Sequence, residues 1–456
     1  MKLRITVILC FLVAIVLSSC KDLPSKGMVP QDFANELSEF VAYNQWNVVD
    51  NYDVLTDEVD LYVDYSTCVA EAGKSDYYRT VHPVIVDCNP NYHSIKGSKI
   101  KFETNNRQQV YQLLNSVTEI NYADIKSAID TIVCRNNHAV LVTDGEYFLK
   151  GRVLDNLNNP YLSDSFRKWT QRGFDIYIYS EPYLESGRFN KFRYYIFFTD
   201  DRVENNIRER FDRSAPQGSN VPNYRISSKM PQVTRSKNYP EINISLSPNT
   251  DLKYNGANYD IQEYYTKWDK IYKYVLDNAY DDEGNVLESG DYILKGLKIK
   301  DMSNNAFKIE DLKVVTYNIG ESFAAYQLAK LNEEELPAVT PLANGTKLFK
   351  IDEDLFNETG CIALYLNKGA EYDGLLSTPN LLKVDIMVDK VSENFTQNND
   401  VNSQFQWQSI SGSQSGLFNT SLYESIRQVL LDPNTNPLSN SKSNVIYTVY
   451  ISTYGL

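Results

Sequence analysis

Short apolar runs alternate with amphipathic segments of helical period through the first half of the chain. Runs at 59–65, 81–87, 99–103, 138–143, 174–180 and 192–199 predict strands. Between them, 107–117, 124–133, 163–172 and 201–213 predict helices, and in the last of these Val203, Ile207 and Phe211 recur every four residues on an otherwise charged segment. Strands alternating with helices predict an α/β domain over residues 51–214, with a doubly wound, mostly parallel sheet.

The pattern then changes. Residues 215–240 carry prolines, serines and asparagines with no period, and read as a linker. Beyond them, period-two runs at 241–246, 291–299, 307–317, 347–351, 361–367, 381–390 and 445–453 predict antiparallel, sandwich-like β structure over 241–456. Helices are predicted at 260–278, where Tyr264, Trp268 and Tyr272 share one face, and at 417–431. That aromatic face could stack on a sugar, but at helical spacing it is more often core.

At the start of the chain Lys2 and Arg4 precede a thirteen-residue apolar run, 5–17, and then Ser18, Ser19 and Cys20. The run covers about 20 Å of a roughly 30 Å hydrocarbon layer, too little to span it, so residues 1–19 are expected to be a cleaved signal peptide. Leu17-Ser18-Ser19-Cys20 resembles the lipobox of bacterial lipoproteins, which implies a lipid on Cys20 as the only membrane anchor. Residues 20–50 would then be a tether ending in a short helix at 31–43. Lys21 follows the cysteine, and the Asp associated with inner-membrane retention is absent there, so the sorting rule favours the outer membrane. Whether the body faces the periplasm or the exterior stays open.

Composition narrows the partners. The formal charge of −14 becomes about −16 once Lys2 and Arg4 are removed, and so acidic a surface repels phosphate backbones, excluding nucleic acid as a partner class. An oxidising compartment allows disulfides, and Cys68, Cys88, Cys134 and Cys361 could pair in three ways. The sequence has no H-E-x-x-H, G-x-S-x-G, Walker or G-x-G-x-x-G motif, so nothing in it calls for an enzyme. The three histidines, His82, His93 and His138, read as packed or capping residues, and the acidic runs at 281–283 and 333–335 as solvated turns.

One constellation carries chemistry. The first strand ends Asp64-Tyr65-Ser66-Thr67-Cys68, a loop after the next helix begins Ser116-Val117-Thr118, and the central strand ends Thr143-Asp144-Gly145. The carboxyl edge of an open α/β sheet is where ligands bind. These pieces together resemble a von Willebrand factor type A domain over residues 50–213, about a third of the chain. Its adhesion site uses a D-x-S-x-S strand end, a Thr from a following loop and an Asp in a T-D-G-like turn. The resemblance implies that Asp64, Ser66, Thr118 and Asp144 hold Mg2+, Mn2+ or Ca2+ with one position open to a partner's acidic side chain. Cys68 stands where the family has its second Ser, and a thiol is a poor ligand for a hard cation. With 81–87 as a strand, the same fold would bring Cys88 to the same sheet edge, making Cys68–Cys88 the preferred disulfide. The expectation is a non-enzymatic lipoprotein that binds an envelope or extracellular protein. The alternatives are a metal-free structural component of a secretion, pilus or adhesin assembly, and a glycan-binding lipoprotein.

Overall fold

The structure is a computed structural model that describes residues 31–44, 46, 53–65, 67–71, 75–116, 123–146, 148–149, 152–153, 158–185, 189–214, 223–231, 233–235, 249–254, 257–265, 272–277, 292–299, 307–337, 339, 343–344, 348–366, 380–396, 402–408, 418–436, 438 and 445–453. The signal-like segment, Cys20, Ser66, Thr118 and the expected strand at 241–246 lie outside the described residues.

Seven strands form the first sheet: β1 (Thr56–Asp64), β2 (Asn91–Lys96), β3 (Lys99–Thr104), β4 (Asn137–Thr143) and, after the small hairpin β5 (Phe148–Leu149) and β6 (Arg152–Val153), β7 (Asp175–Glu185), β8 (Phe189–Thr199) and β9 (Asn223–Ser227). Their order is β3-β2-β1-β4-β8-β7-β9. β1 is parallel to both β2 and β4, while β3, β8 and β9 run antiparallel to their neighbours, so the sheet is mixed with a parallel centre. β9 falls within the segment that composition marked as linker.

Alternation along the strands explains the layers. Leu61, Val63, Val140, Val142, Tyr177 and Phe197 face one core, closed by α3 (Asp76–Asp87), α4 (Arg107–Asn115) and α7 (Ile207–Ser214). Tyr62, Ala139, Leu141, Ile176, Ile178 and Phe198 face the other, closed by α5 (Ile125–Val133) and α6 (Ser163–Gln171). Ahead of these come α1 (Gln31–Tyr43) and the single turn α2 (Thr67–Ala70).

One expected strand, 81–87, is instead the second half of α3. Its β-branched residues read as a strand in isolation, but Tyr78, Val81 and Ile85 are spaced for one helix face, all three are buried, and Ser75 caps the helix by accepting from the Tyr78 amide. The strand paired with β1 is the more polar β2. The helix expected over 201–213 begins only at Ile207, after a turn in which Asn205 has φ 59°.

The second half holds a four-stranded antiparallel sheet and a second seven-stranded sheet. Its strands are β10 (Val233–Arg235), β11 (Asn249–Tyr254), β12 (Ala257–Tyr265), β13 (Tyr272–Asp277), β14 (Tyr292–Ile299), β15 (Phe307–Asn318), β16 (Ala343–Asn344), β17 (Phe349–Ile351), β18 (Cys361–Leu366), β19 (Asn380–Glu393), β20 (Trp407–Gln408), β21 (Phe418–Asn419) and β22 (Val445–Thr453). The smaller sheet has the order β10-β14-β18-β17 and the larger β11-β12-β13-β22-β19-β15-β16. Only the β13–β22 pair of the larger sheet is parallel. Of the helix expected at 260–278, the described residues instead form the antiparallel strands β12 and β13, with Tyr265 paired to Tyr272, while Trp268 lies outside the described residues. Aromatics four apart imitated a helix face, and strand propensity prevailed. Among the described residues, α8 (Gly320–Leu331), α9 (Glu353–Thr359) and α10 (Ser421–Leu430) accompany these sheets.

The halves share one core. Tyr224 of β9 packs edge-on against Phe395 and Phe405, the Leu162 amide donates to Ser425 Oγ at 3.2 Å, and Arg167 pairs with Asp432 at 3.0 Å. At the far side α1 is built into the second half: Leu37, Phe40 and Val41 pack with Ile319, Phe323, Tyr326, Leu381 and Tyr450. Among the described residues, no helix is long and apolar enough to cross a membrane.

Candidate functional site

Parallel pairing of β1 with β4 sets Val63 beside Val142, so Asp64 and Thr143 lie level at the carboxyl edge with Asp144 one residue further on. Both aspartates are buried, at 1 % and 7 % exposure. Thr143 Oγ1 donates to Asp64 Oδ2 at 2.7 Å and accepts the Gly145 amide at 3.1 Å, tying the end of β1 to the turn after β4. Asp144 Oδ1 accepts the Glu146 amide at 2.9 Å, which tightens that turn.

Gly145 is required at this position. Its φ is 73°, and a Cβ there would sit 2.9 Å from Tyr194 Cε2 and 3.2 Å from Trp407 Cη2. Tyr194, opposite Thr143 on β8, donates to the Gln404 carbonyl at 2.7 Å, and Ser180 Oγ donates to Gln404 Oε1 at 2.7 Å. Residues 404–407 of the second half are thereby fastened over this edge of the sheet. Glu146 accepts from Trp407 Nε1 at 3.2 Å and is ion-paired with Lys191, which is only 2 % exposed. Further along the same edge Glu181 binds Arg193 at 2.7 Å and Tyr195 at 3.0 Å.

The electrostatics follow from that crowding. Burial pushes the Asp144 carboxyl well above the usual carboxylate range, the charges of Asp64 and Glu146 push the same way, and Lys191 acts against them. Among the described residues no three His, Cys, Asp or Glu side chains are grouped to hold a metal ion. What the fold brings together is the Asp64–Asp144 pair, with the Thr143 hydroxyl bound to Asp64.

Cys88 is a free thiol, so the Cys68–Cys88 disulfide does not form. Read as the end of a strand, 81–87 put Cys88 at the carboxyl edge. As a helix, α3 starts at that edge with Ser75, whose hydroxyl binds Glu181, and delivers Cys88 to the opposite end just before β2. There its Sγ lies 3.4 Å from Arg210 Nη1 and from the Val84 carbonyl. Cys68 follows β1 in α2. The histidines are buried in packed positions: His93 stacks on Tyr62 beside Asp60, His138 meets Thr199 Oγ1 at 3.0 Å, and His82 lies between the rings of Tyr78 and Tyr111.

Sequence reasoning missed Glu146, Lys191 and Trp407. Glu146 could have been found, since it lies two residues beyond Asp144 in the same turn. Lys191 precedes an apolar run with nothing local to mark its burial, and Trp407 reaches the site from 261 residues away. In comparisons with protein-family models, with curated proteins and with solved structures, the chain matches none.

Proposed function

We propose that this chain is an envelope lipoprotein, anchored through Cys20 in the outer membrane, whose first domain is of the von Willebrand factor type A kind and binds a periplasmic or extracellular protein with the help of a divalent cation. The observation that carries the reading is the meeting of Asp64 and Asp144, buried side by side at the carboxyl ends of two adjacent parallel strands. Two desolvated carboxylates in mutual repulsion favour a countercharge, and a hard divalent cation supplies one. Asp64 and Asp144 would hold it, with Ser66 and Thr118 as the hydroxyl partners that the resemblance assigns. The role of the cation would be to fix the strand ends and offer a coordination position to the partner.

A second reading, a metal-free structural component of an envelope assembly, is favoured by the covered state of the edge, where Trp407 and Lys191 already engage the turn after Asp144. Thermal melting of the full chain separates the two. On the first reading Mg2+, Mn2+ or Ca2+ raises the melting temperature, a chelator reverses the rise, and Asp64→Ala abolishes it. Identical melting curves with cation and with chelator would leave only the second.

A further inference from the structure

We propose that the chain stands on its membrane with a fixed polarity: α1 and the amino edge of the first sheet form the membrane-near pole, and the carboxyl edge of that sheet is the far pole. The inference rests on the lipid anchor at Cys20 proposed above and adds which kind of partner the carboxyl edge can meet.

The anchor is close to α1. From Cys20 to Gln31 the chain reaches at most about 40 Å, and α1 is then locked onto the second half through Leu37, Phe40 and Val41. Two separate paths lead from α1 to the carboxyl edge, and both cross the molecule. The first runs through β1. Trp46 packs on Phe40, and from Trp46 to Asp53 the chain reaches at most about 25 Å. Asp53 is held at the amino edge by Arg172, which also binds the Val133 and Arg135 carbonyls ahead of β4. The nine residues of β1 then rise about 30 Å to Asp64.

The second path runs along β19. At its start Leu381 packs in the α1 cluster and its carbonyl accepts the Ile319 amide at 2.9 Å. Its fourteen residues rise about 45 Å. Just past its end, Phe395 meets Tyr224, Tyr224 meets Phe405, and the neighbouring Gln404 carbonyl accepts from Tyr194, beside the turn after β4. Each path places α1 and the carboxyl edge at opposite ends of a strand. A protein embedded in the same bilayer beside the anchor therefore meets the α1 pole, and the carboxyl edge faces a soluble protein or one held in an opposing layer.

Energy transfer to rhodamine-labelled phosphatidylethanolamine tests this, with the full lipidated chain in phosphatidylglycerol-containing vesicles. Native Cys134, an exposed thiol that ends α5 at the amino edge, takes a maleimide fluorophore in one sample. In the other the fluorophore goes on Leu184→Cys in a Cys134→Ser chain, since Leu184 is 55 % exposed where β7 and β8 run past the carboxyl edge. Peptide mapping confirms that each chain is labelled at that position alone. The two positions lie about 35 Å apart along the sheet, so transfer from Cys134 is expected to exceed transfer from position 184 about twofold or more. Lengthening the tether by about thirty Gly and Ser residues after Lys26 should bring the ratio towards one, because a chain of that reach no longer holds one pole down. A ratio unchanged by the longer tether would overturn α1 as the cause of the polarity. Equal transfer, or more from position 184, in a chain that mass spectrometry shows to be acylated on Cys20 overturns the polarity and leaves the anchor standing. A chain without lipid on Cys20, washed from vesicles as readily as its Cys20→Ala variant, removes the anchor and the inference with it.

Discussion

Gly145 and Gly360 share nearly the same backbone, φ 73° and 70°, but not the same surroundings. A Cβ at Gly360, which ends α9, would meet nothing within 4 Å, whereas at Gly145 it would press on Tyr194 and Trp407. Gly360→Ala should therefore cost only the left-handed conformation, about 1 kcal/mol. Gly145→Ala adds overpacking and should cost roughly 2–4 kcal/mol in urea denaturation. Equal losses would mean that residues 404–407 do not press on the turn. His82 makes a separate prediction. Burial between two tyrosine rings lowers its pKa from 6.5 to about 4, so the fold prefers the neutral ring. Its contribution is complete above pH 6.5, is lost as pH falls towards 4, and amounts to on the order of 3 kcal/mol. His82→Phe should flatten that part of the stability profile, and an unchanged slope between pH 6.5 and 4 would count against it. At this scale the two aspartates were legible because each follows an apolar strand. Their partners were not, because Lys191 and Trp407 reach the edge by tertiary folding, and no local pattern encodes that.

Among the elements, α1 shows how position along a chain can mislead. Its thirteen residues were legible as a helix from their period, but their place behind a lipobox-like segment made them read as part of a tether. In the fold Phe40 is fully buried and meets Trp46, Phe323 and Tyr326 at centroid distances of 5.1–5.3 Å, while Gln327 and Lys330 of α8 bind Glu36 and Glu39. Phe40→Ala should therefore destabilise the chain by about 3–5 kcal/mol, read from denaturant unfolding, where a loosely attached tether would lose almost nothing. The hydrophobic pattern located most strands of the first sheet but could not orient them. Phe192 and Phe198 lie on the strand that was expected to continue a mostly parallel sheet. That strand, β8, instead runs antiparallel to both neighbours, between β4 and β7. The errors at 81–87 and 260–278 share a cause: β-branched and aromatic residues fit a helix face or a pleated strand alike, and packing decides.

Taken whole, the molecule is an acidic chain in which a helix-flanked mixed sheet and two further sheets share buried contacts. The α/β-then-β order was legible from the change of period near residue 215, but the way the second half covers the first was not. Residues 404–407 carry no signal of their own beyond Phe405 and Trp407, yet they close the edge where the aspartates meet. The functional account stands on that edge. Its most direct measurement is anomalous diffraction at the manganese edge from crystals of the full chain soaked in MnCl2. The account predicts a single peak within about 2.5 Å of carboxylate oxygens of both Asp64 and Asp144, absent from Asp64→Ala crystals. Crystals that diffract well and show no manganese between those two residues would contradict it.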